Sequence, residues 1–170
     1  MKGNKGGALS TAGYIILGII IAYGINFGLS IALGTSMPVV AVESNSMVPT
    51  FARGDILLLD GRANYTINDI IVYSPEGQSV PIVHRIISIN ADGSFQTKGD
   101  ANAGQLTFEK HVDTAEIHGK VILIVPYVGW IKIAVTSYVL PNLLWVVIIV
   151  VIVAAAGYGV NRYLKRSDKI

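Results

Sequence analysis

Two long runs without charge constrain this chain more than any other feature of its sequence. One extends from Gly6 to Val42 and the other from Ile133 to Asn161, so that 37 and 29 consecutive residues lack Asp, Glu, Lys and Arg. Each run exceeds the length of about 20 apolar residues that carries a helix across a bilayer. A cleaved signal peptide is the alternative for the first run, but its apolar segment would span only about 7–15 residues. The sequence therefore predicts two membrane anchors, with enough chain between them for one small domain.

The placement of charge predicts how the two anchors are oriented. The two chain ends hold six basic and one acidic residue, a net charge of +5, whereas residues 34–137 hold seven basic and ten acidic residues, a net charge of −3. Positive flanks of membrane spans stay on the cytoplasmic side. The predicted order is a cytoplasmic N-terminus (1–12), a transmembrane helix (13–33), an extracytoplasmic domain (36–137), a second transmembrane helix (139–160) and a basic cytoplasmic tail (161–170).

The segment between the anchors has the pattern of a β domain. Short apolar runs bounded by turn residues predict five strands: Ile56–Leu59, Ile70–Tyr73, Val80–Ile89, Ser94–Thr97 and Ile117–Val125. Residues 100–114 lack periodicity and predict a loop. The aromatic stretch Tyr127–Ile131 precedes the second anchor, and it fits either the membrane interface or a lid on the core.

Three residues that are far apart in sequence fit serine-protease chemistry. The hydroxyl of Ser46 is a weak nucleophile that needs a neighbouring base. His84 lies in an apolar strand and changes charge near neutral pH, which suits it to that role. Asp100 follows a predicted strand and is a candidate to orient the imidazole. By spacing alone, each also fits an ordinary structural role: a turn serine, a core histidine and a turn aspartate.

The motifs around these residues resemble those of the type I signal peptidases, in their archaeal and endoplasmic-reticulum form. The matching segments are SNSMVPTFARGDILLL, PIVHRII and TKGDAN, with GKVILIVPYVGW as a weaker fourth. The resemblance implies a mainly β catalytic domain between two transmembrane helices, in the cell membrane or the endoplasmic-reticulum membrane. It also implies a serine endopeptidase that removes signal peptides from exported preproteins at the outer membrane face. The expected partners are signal peptides, the bilayer and the translocation machinery, with no metal, cofactor or nucleic acid.

The resemblance implies a role for each matching residue. Ser46 corresponds to the nucleophile, and His84 to the general base, at a position where bacterial relatives carry lysine. Asp100 corresponds to the first acid of the third motif. Ser44 corresponds to a residue that helps to hold the oxyanion, together with the backbone N–H of Ser46.

One departure from the family pattern leaves the acid undecided. Members of this type commonly carry a second aspartate six residues after the first, and here that position is Leu106. The acid is therefore Asp100 alone, or Glu109 or Asp113 in its place, and the intact motif favours Asp100. Leu106 also motivates an alternative function, that of a catalytically silent, membrane-anchored partner subunit.

Three further features of the middle segment have predicted roles outside the chemistry of the site. Lys98 is expected to be a solvated strand residue or a support for the neighbouring loop, rather than a member of a Ser-Lys dyad. Arg53 and Asp55 are expected to fix the turn around the nucleophile. Asn64 begins an Asn-Tyr-Thr glycosylation sequon whose occupancy the sequence does not reveal.

Overall fold

The computed structural model describes residues 5–167, which divide into two compact units at the boundary between Gly129 and Trp130. The first unit contains an N-terminal helix α1 (Lys5–Leu33) followed by six strands: β1 (Val39–Ala41), β2 (Ile56–Asp60), β3 (Ile70–Tyr73), β4 (Ile82–Ile89), β5 (Phe95–Lys98) and β6 (Ile117–Val125). Two 3₁₀ turns, Thr107–Lys110 and Thr114–Glu116, lie between β5 and β6. The second unit contains α2 (Trp130–Ala134), a π-helical turn (Val135–Val139) and α3 (Leu143–Ser167).

Helix α1 has the length and composition of a membrane-crossing helix. Its segment Gly13–Leu33 has a mean hydropathy of 2.2, and none of the 18 residues over which burial was assessed is buried within the protein. A helix this apolar on all sides needs an apolar environment to cover it. The predicted first span therefore coincides with a helix, which begins eight residues earlier, at Lys5.

The strands form one six-stranded β-sheet in which all neighbouring strands are antiparallel. The strand order is β1-β2-β6-β3-β4-β5. All five predicted strands are present, within two residues at their ends. Strand β4 begins at Ile82 rather than Val80, because Pro81 has no N–H to donate to a ladder. Strand β1 was not predicted, since its three residues lie near the end of a continuous uncharged run and show no alternation of their own.

Two apolar clusters form the core, and each one holds a segment that contains a candidate site residue. The buried members of the first are Val42, Met47, Phe51, Leu57, Leu59 and Val72, and those of the second are Ile71, Tyr73, Ile86, Phe95 and Val112. Met47 is 1% exposed and immediately follows the predicted nucleophile. Val112 exchanges backbone hydrogen bonds of 2.9 Å with Phe95 and so fixes the segment after Thr107–Lys110.

The second apolar run differs from the prediction of one continuous transmembrane helix over 139–160. The axes of the helical segments Trp130–Val139 and Leu143–Tyr158 form an angle of 89°. Only the two segments together are long and apolar enough to cross a membrane. Pro141 lies in the break between them. Proline has no N–H to continue a helical ladder, and its ring clashes with the preceding turn. Among the described residues, α1 is therefore the only single helix with the properties of a membrane span.

The turn that follows the nucleophile segment is fixed by a buried carboxylate. Asp55, 7% exposed, accepts hydrogen bonds from the N–H groups of Ala52 (2.9 Å) and Tyr127 (3.0 Å). The expected turn-fixing role of Asp55 is therefore confirmed. The side chains of Tyr127 and Val128 are 77% and 45% exposed, so these two residues do not close the core.

Candidate active site

The imidazole of His84 meets the hydroxyl of Ser46 at the surface of the sheet. Alternation along β4 turns His84 and Ile86 inward, and His84 is only 5% exposed. Its Nε2 atom lies 3.1 Å from Oγ of Ser46, a residue 38 positions away in sequence. This is the distance at which an imidazole can accept the proton of a serine hydroxyl.

The segment that carries Ser46 is held on both sides of the hydroxyl. On one side, Met47 packs into the first core cluster. On the other, Asn45 Oδ1 accepts a hydrogen bond from the N–H of Arg53 at 2.9 Å. The carbonyl of Ser46 accepts a further bond from the N–H of Ala101 at 2.9 Å. The side chain therefore projects from a fixed backbone, half-buried beside the imidazole.

Gly99 allows the third motif to approach this pair. A Cβ atom on Gly99 would lie 2.7 Å from the carbonyl oxygen of Ser46 and 2.8 Å from Nε2 of His84. Real Cβ atoms do not tolerate such distances, so any larger residue would displace Ser46, His84 or both. The glycine of the third motif is thus a packing requirement of the site.

Glu109 contacts the opposite nitrogen of the imidazole. It lies on the 3₁₀ turn Thr107–Lys110, is completely buried, and presents Oε1 to Nδ1 of His84. Its Oε2 accepts a hydrogen bond of 2.5 Å from the N–H of Leu106. A carboxylate at Nδ1 keeps the proton of a neutral imidazole on that atom and leaves Nε2 free to accept from Ser46. Ser46, His84 and Glu109 therefore form a continuous chain of polar contacts.

Asp100, which the sequence motif favoured as the acid, is engaged elsewhere. Both of its oxygens accept hydrogen bonds from Arg85, from Nε at 2.9 Å and from Nη2 at 2.7 Å. The hydroxyl of Thr50 donates a third bond at 2.5 Å. Arg85 also donates to the carbonyl of Asn68 at 2.9 Å. Asp100 therefore ties β4 to the segment that follows the nucleophile, and the contact with Nδ1 of His84 belongs to Glu109.

The remaining candidate acid also lies apart from the imidazole. Oδ1 of Asp113 accepts a hydrogen bond from the N–H of Ala115 at 3.3 Å, which caps the second 3₁₀ turn. Lys98, the alternative base, donates to the carbonyl of Asn102 at 2.9 Å. Of its two expected structural roles, the structure therefore shows that of a loop support.

Burial and neighbouring charge shift the pKa of His84 in opposite directions. Burial is the larger influence and lowers the pKa of His84 below its ordinary value of 6.5, because the charged imidazolium loses hydration. The carboxylate of Glu109, and at longer range that of Asp100, partly offset this effect. The imidazole is therefore neutral at neutral pH, which is the state that a general base requires. The Arg85 guanidinium, by contrast, holds the pKa of Asp100 below its usual range.

Ser44 lies on the exposed side of Ser46. Its Oγ is 3.2 Å from Oγ of Ser46, and its side chain is open to solvent. Exposure thus increases from the buried Glu109, through His84, to Ser46 and Ser44. The two hydroxyls thus lie toward solvent, whereas the carboxylate of Glu109 is covered.

Sequence reasoning named Glu109 only as one alternative acid, because a 3₁₀ turn of four residues leaves no periodic signal. One clue was available. The sequence Leu106-Thr107-Phe108-Glu109 places a glutamate three residues after a turn start, where its carboxylate can accept the free N–H of that position.

Comparison with known proteins gives a consistent result. No family model matches the chain. Signal peptidase complex catalytic subunit SEC11 of Chaetomium globosum is 35% identical over 122 residues, which are 65% of this chain and 71% of the relative. The protein of the same name from Pyricularia oryzae has the same identity and coverage. SEC11 of Saccharomyces cerevisiae strain YJM789 is 42% identical over 117 residues, 62% of this chain and 70% of the relative.

These relatives confirm the resemblance that the motifs around Ser46, His84 and Asp100 first indicated. The chain covers more than two thirds of each of them at more than 30% identity. The chain therefore belongs to the family of the signal peptidase catalytic subunit SEC11, the endoplasmic-reticulum form of type I signal peptidase, whose members are serine endopeptidases.

Proposed function

We propose that this protein removes signal peptides from exported preproteins at the outer face of the membrane, with Ser46 as nucleophile, His84 as general base and Glu109 as the acid that orients the imidazole. The observation that carries this proposal is the contact of His84 with both partners: Nε2 is 3.1 Å from Ser46 Oγ, and Nδ1 meets the carboxylate of Glu109. The order of contacts is that of a Ser-His-acid triad.

In the proposed reaction, Ser46 attacks the scissile carbonyl while Nε2 of His84 takes the hydroxyl proton. The imidazolium that forms is stabilised by Glu109 at Nδ1. His84 then returns the proton to the leaving amine, and the new N-terminus departs. A water molecule attacks the acyl-enzyme with His84 again as base, which frees the signal peptide and restores Ser46. None of these steps requires a metal or an organic cofactor.

The proposed oxyanion site consists of the hydroxyl of Ser44 and the backbone N–H of Ser46. The distance of 3.2 Å between the two serine oxygens supports this role, because it brings a second donor next to the reacting centre. One well-placed oxyanion donor contributes about 3–4 kcal/mol to the stability of the transition state. Asp100 is a positioning residue in this scheme, since it acts through Arg85 and Thr50.

The proposed topology is two-pass, with residues 1–12 and 161–170 cytoplasmic and residues 36–137 outside. The distribution of basic residues supports it. The second anchor would be formed by the apolar residues of 139–160, which include most of α3. Ser46 follows the end of α1 by 13 residues, which limits how far it can lie from the bilayer. The cleavage site of a membrane-inserted signal peptide emerges in the same region, and Tyr127 and Trp130 would lie in the interface.

The relatives are named as subunits of a signal peptidase complex. We extend this to the present chain and propose that it works next to further membrane subunits and the translocation machinery, in the cell membrane or the endoplasmic-reticulum membrane. The alternative of a silent partner subunit was motivated by Leu106. The carboxylate that Glu109 presents to His84 favours the catalytic function over this alternative.

The test uses the full chain reconstituted in lipid vesicles with a preprotein substrate. Ser46→Ala and His84→Ala are each expected to lower the cleavage rate by at least about 10³-fold, because members of a triad act as a unit. Ser79→Ala and His118→Ala, outside the site, are matched controls that should cleave normally. Normal cleavage by His84→Ala would overturn the mechanism, and no cleavage by the unaltered protein would overturn the function.

A further inference from the structure

The end of α1 is bonded directly to the turn that follows β2. Arg62 reaches back to the helix, and its Nη2 donates to the carbonyl of Ile31 at 2.7 Å. The N–H of Gly61 donates to the carbonyl of Leu33 at 2.9 Å. Two of the last helix carbonyls, which a helix cannot satisfy by itself, are thus satisfied by residues 31 and 28 positions away.

Two glycines make this contact possible. Gly34 ends α1 with φ at +62°, and a Cβ atom there would lie 2.6 Å from Cγ of Arg62. On the other side, a Cβ atom on Gly61 would overlap the carbonyl oxygen of Gly34. The two backbones therefore approach as closely as residues without side chains allow.

The chain between this contact and the sheet is also fixed. Ser30 Oγ donates to the carbonyl of Thr35 at 2.6 Å, and Thr35 Oγ1 accepts from the N–H of Met37 at 3.1 Å. The carbonyl of Pro38 accepts from the N–H of Leu59 at 3.0 Å. Strand β1 begins at the next residue and pairs with β2.

A membrane anchor that only tethers a domain would be served by a flexible linker. Here, the five residues between α1 and β1 make a bonded junction, and the guanidinium of Arg62 lies at the negative end of the helix dipole. The same few residues lead through β1 to Ser46. A movement of the nucleophile relative to the axis of α1 would therefore break several of these bonds.

We infer that this junction, formed by Gly34, Gly61 and Arg62, fixes the position of Ser46 relative to the membrane-crossing helix and thereby selects which peptide bond of a membrane-inserted substrate is cut. The inference rests on the proposed function. Arg62 and the two glycines are positioning residues that determine specificity, and they have no part in bond cleavage itself.

The first experiment measures cleavage by the full chain in lipid vesicles. The substrates are preproteins in which the spacer between the apolar segment and the cleavage site is changed one residue at a time. The unaltered protein is expected to show a sharp optimum of spacer length. Arg62→Ala is expected to reduce the preference for that optimum by about tenfold, because small misplacements at a reacting centre have large effects on rate. Cleavage of a short water-soluble peptide that lacks the apolar segment should not change.

The glycine contact has a matched control. Gly34→Ala is compared with Gly77→Ala, since both residues have positive φ (+62° and +81°) but a methyl group on Gly77 would meet no other atom within 4 Å. Only Gly34→Ala should broaden the optimum, and Arg62→Lys should retain part of the preference. An unchanged optimum in both Arg62→Ala and Gly34→Ala would overturn the inference.

A second measurement does not depend on catalysis. The chain has no cysteine, so spin labels can be attached at Ala22→Cys in α1 and Ala91→Cys in the turn after β4. The distance distribution between them should be narrow, and Arg62→Ala should broaden it. A broad distance distribution in the otherwise unaltered protein would contradict the inference that the junction is rigid, even if cleavage is normal. Failure of the unaltered protein to cleave, together with a narrow distribution, would overturn the proposed function alone.

Discussion

At the scale of single residues, the buried carboxylate of Glu109 is the most informative feature of the site. An ionised carboxylate is costly to bury unless it is paired and hydrogen-bonded. Glu109 is completely buried, and its two oxygens meet Nδ1 of His84 and the N–H of Leu106. Its burial is therefore coupled to the orientation of the imidazole.

We expect Glu109→Gln to lower kcat by about 10⁴-fold, because an amide no longer selects the productive imidazole tautomer. The pH profile should change as well. Glu109 raises the pKa of His84 against the larger effect of burial. Without its charge the pKa falls further, so the acid limb of kcat/KM, already below pH 6.5, should move to lower pH.

Asp100→Asn is the matched control for this measurement. Asp100 acts on His84 only at longer range, and therefore its replacement should move the acid limb less than Glu109→Gln does. A larger loss of kcat and a larger shift for Asp100→Asn would show that the acid assignment is wrong.

The sequence was sufficient to single out Ser46 and His84, whose side chains the structure brings together, but not to choose between the candidate acids. Asp100 lies in an intact motif, and spacing alone does not reveal that Arg85 and Thr50 occupy its oxygens. That competition depends on which side chains the sheet brings together. The same holds for Glu109, whose position follows from a short 3₁₀ turn held by Val112 in the core.

At the scale of elements, the site is assembled from one strand and three irregular segments. Strand β4 supplies His84, and its position was predictable from its apolar pattern. The segments that carry Ser46, Gly99 and Glu109 have no periodicity, so the sequence predicted their existence but not their packing. Core residues next to the chemistry, such as Met47, hold these segments in place.

Gly99→Ala tests the packing of these segments. The added methyl group would meet the carbonyl of Ser46 and Nε2 of His84 at less than 3 Å. We expect a fall in kcat of about 10²-fold, which is typical of a displacement of about 1 Å in an active site.

Gly104→Ala is the control for that variant, since it lies in the same loop and an added methyl group there would have no neighbour within 4 Å. It should retain full activity. Thermal unfolding of both variants, followed by circular dichroism, separates a local displacement from a loss of the fold. Equal activity of the two variants would contradict the close packing of Gly99.

At the scale of the whole molecule, the two uncharged runs show how much structure a hydropathy pattern can predict. The length of an uncharged run was enough to predict α1. It was not enough to predict the 89° change of direction around Pro141, because a hydropathy pattern contains no information about the angle between helices. The proposed two-pass topology therefore rests on charge placement.

Single-cysteine labelling tests this topology in a chain that lacks native cysteine. In sealed vesicles with the extracytoplasmic face outward, a membrane-impermeant maleimide should label Ala91→Cys at once. Asn4→Cys and Ser167→Cys should react only after detergent is added, because basic flanks stay on the cytoplasmic side. Immediate labelling of Ser167→Cys would indicate that the second apolar run does not cross the membrane.

The contact between Glu109 and His84 also bears on how distant relatives are recognised. A search that demands an aspartate at the alignment column of Leu106 would discard this chain as a degenerate homologue. Yet the carboxylate reaches the ring from three residues downstream, on a longer side chain. Genomic surveys of Ser-His-acid triads should therefore test whether any nearby acidic side chain can reach the histidine in the folded structure. Chains that were dismissed because of that one column merit a second inspection.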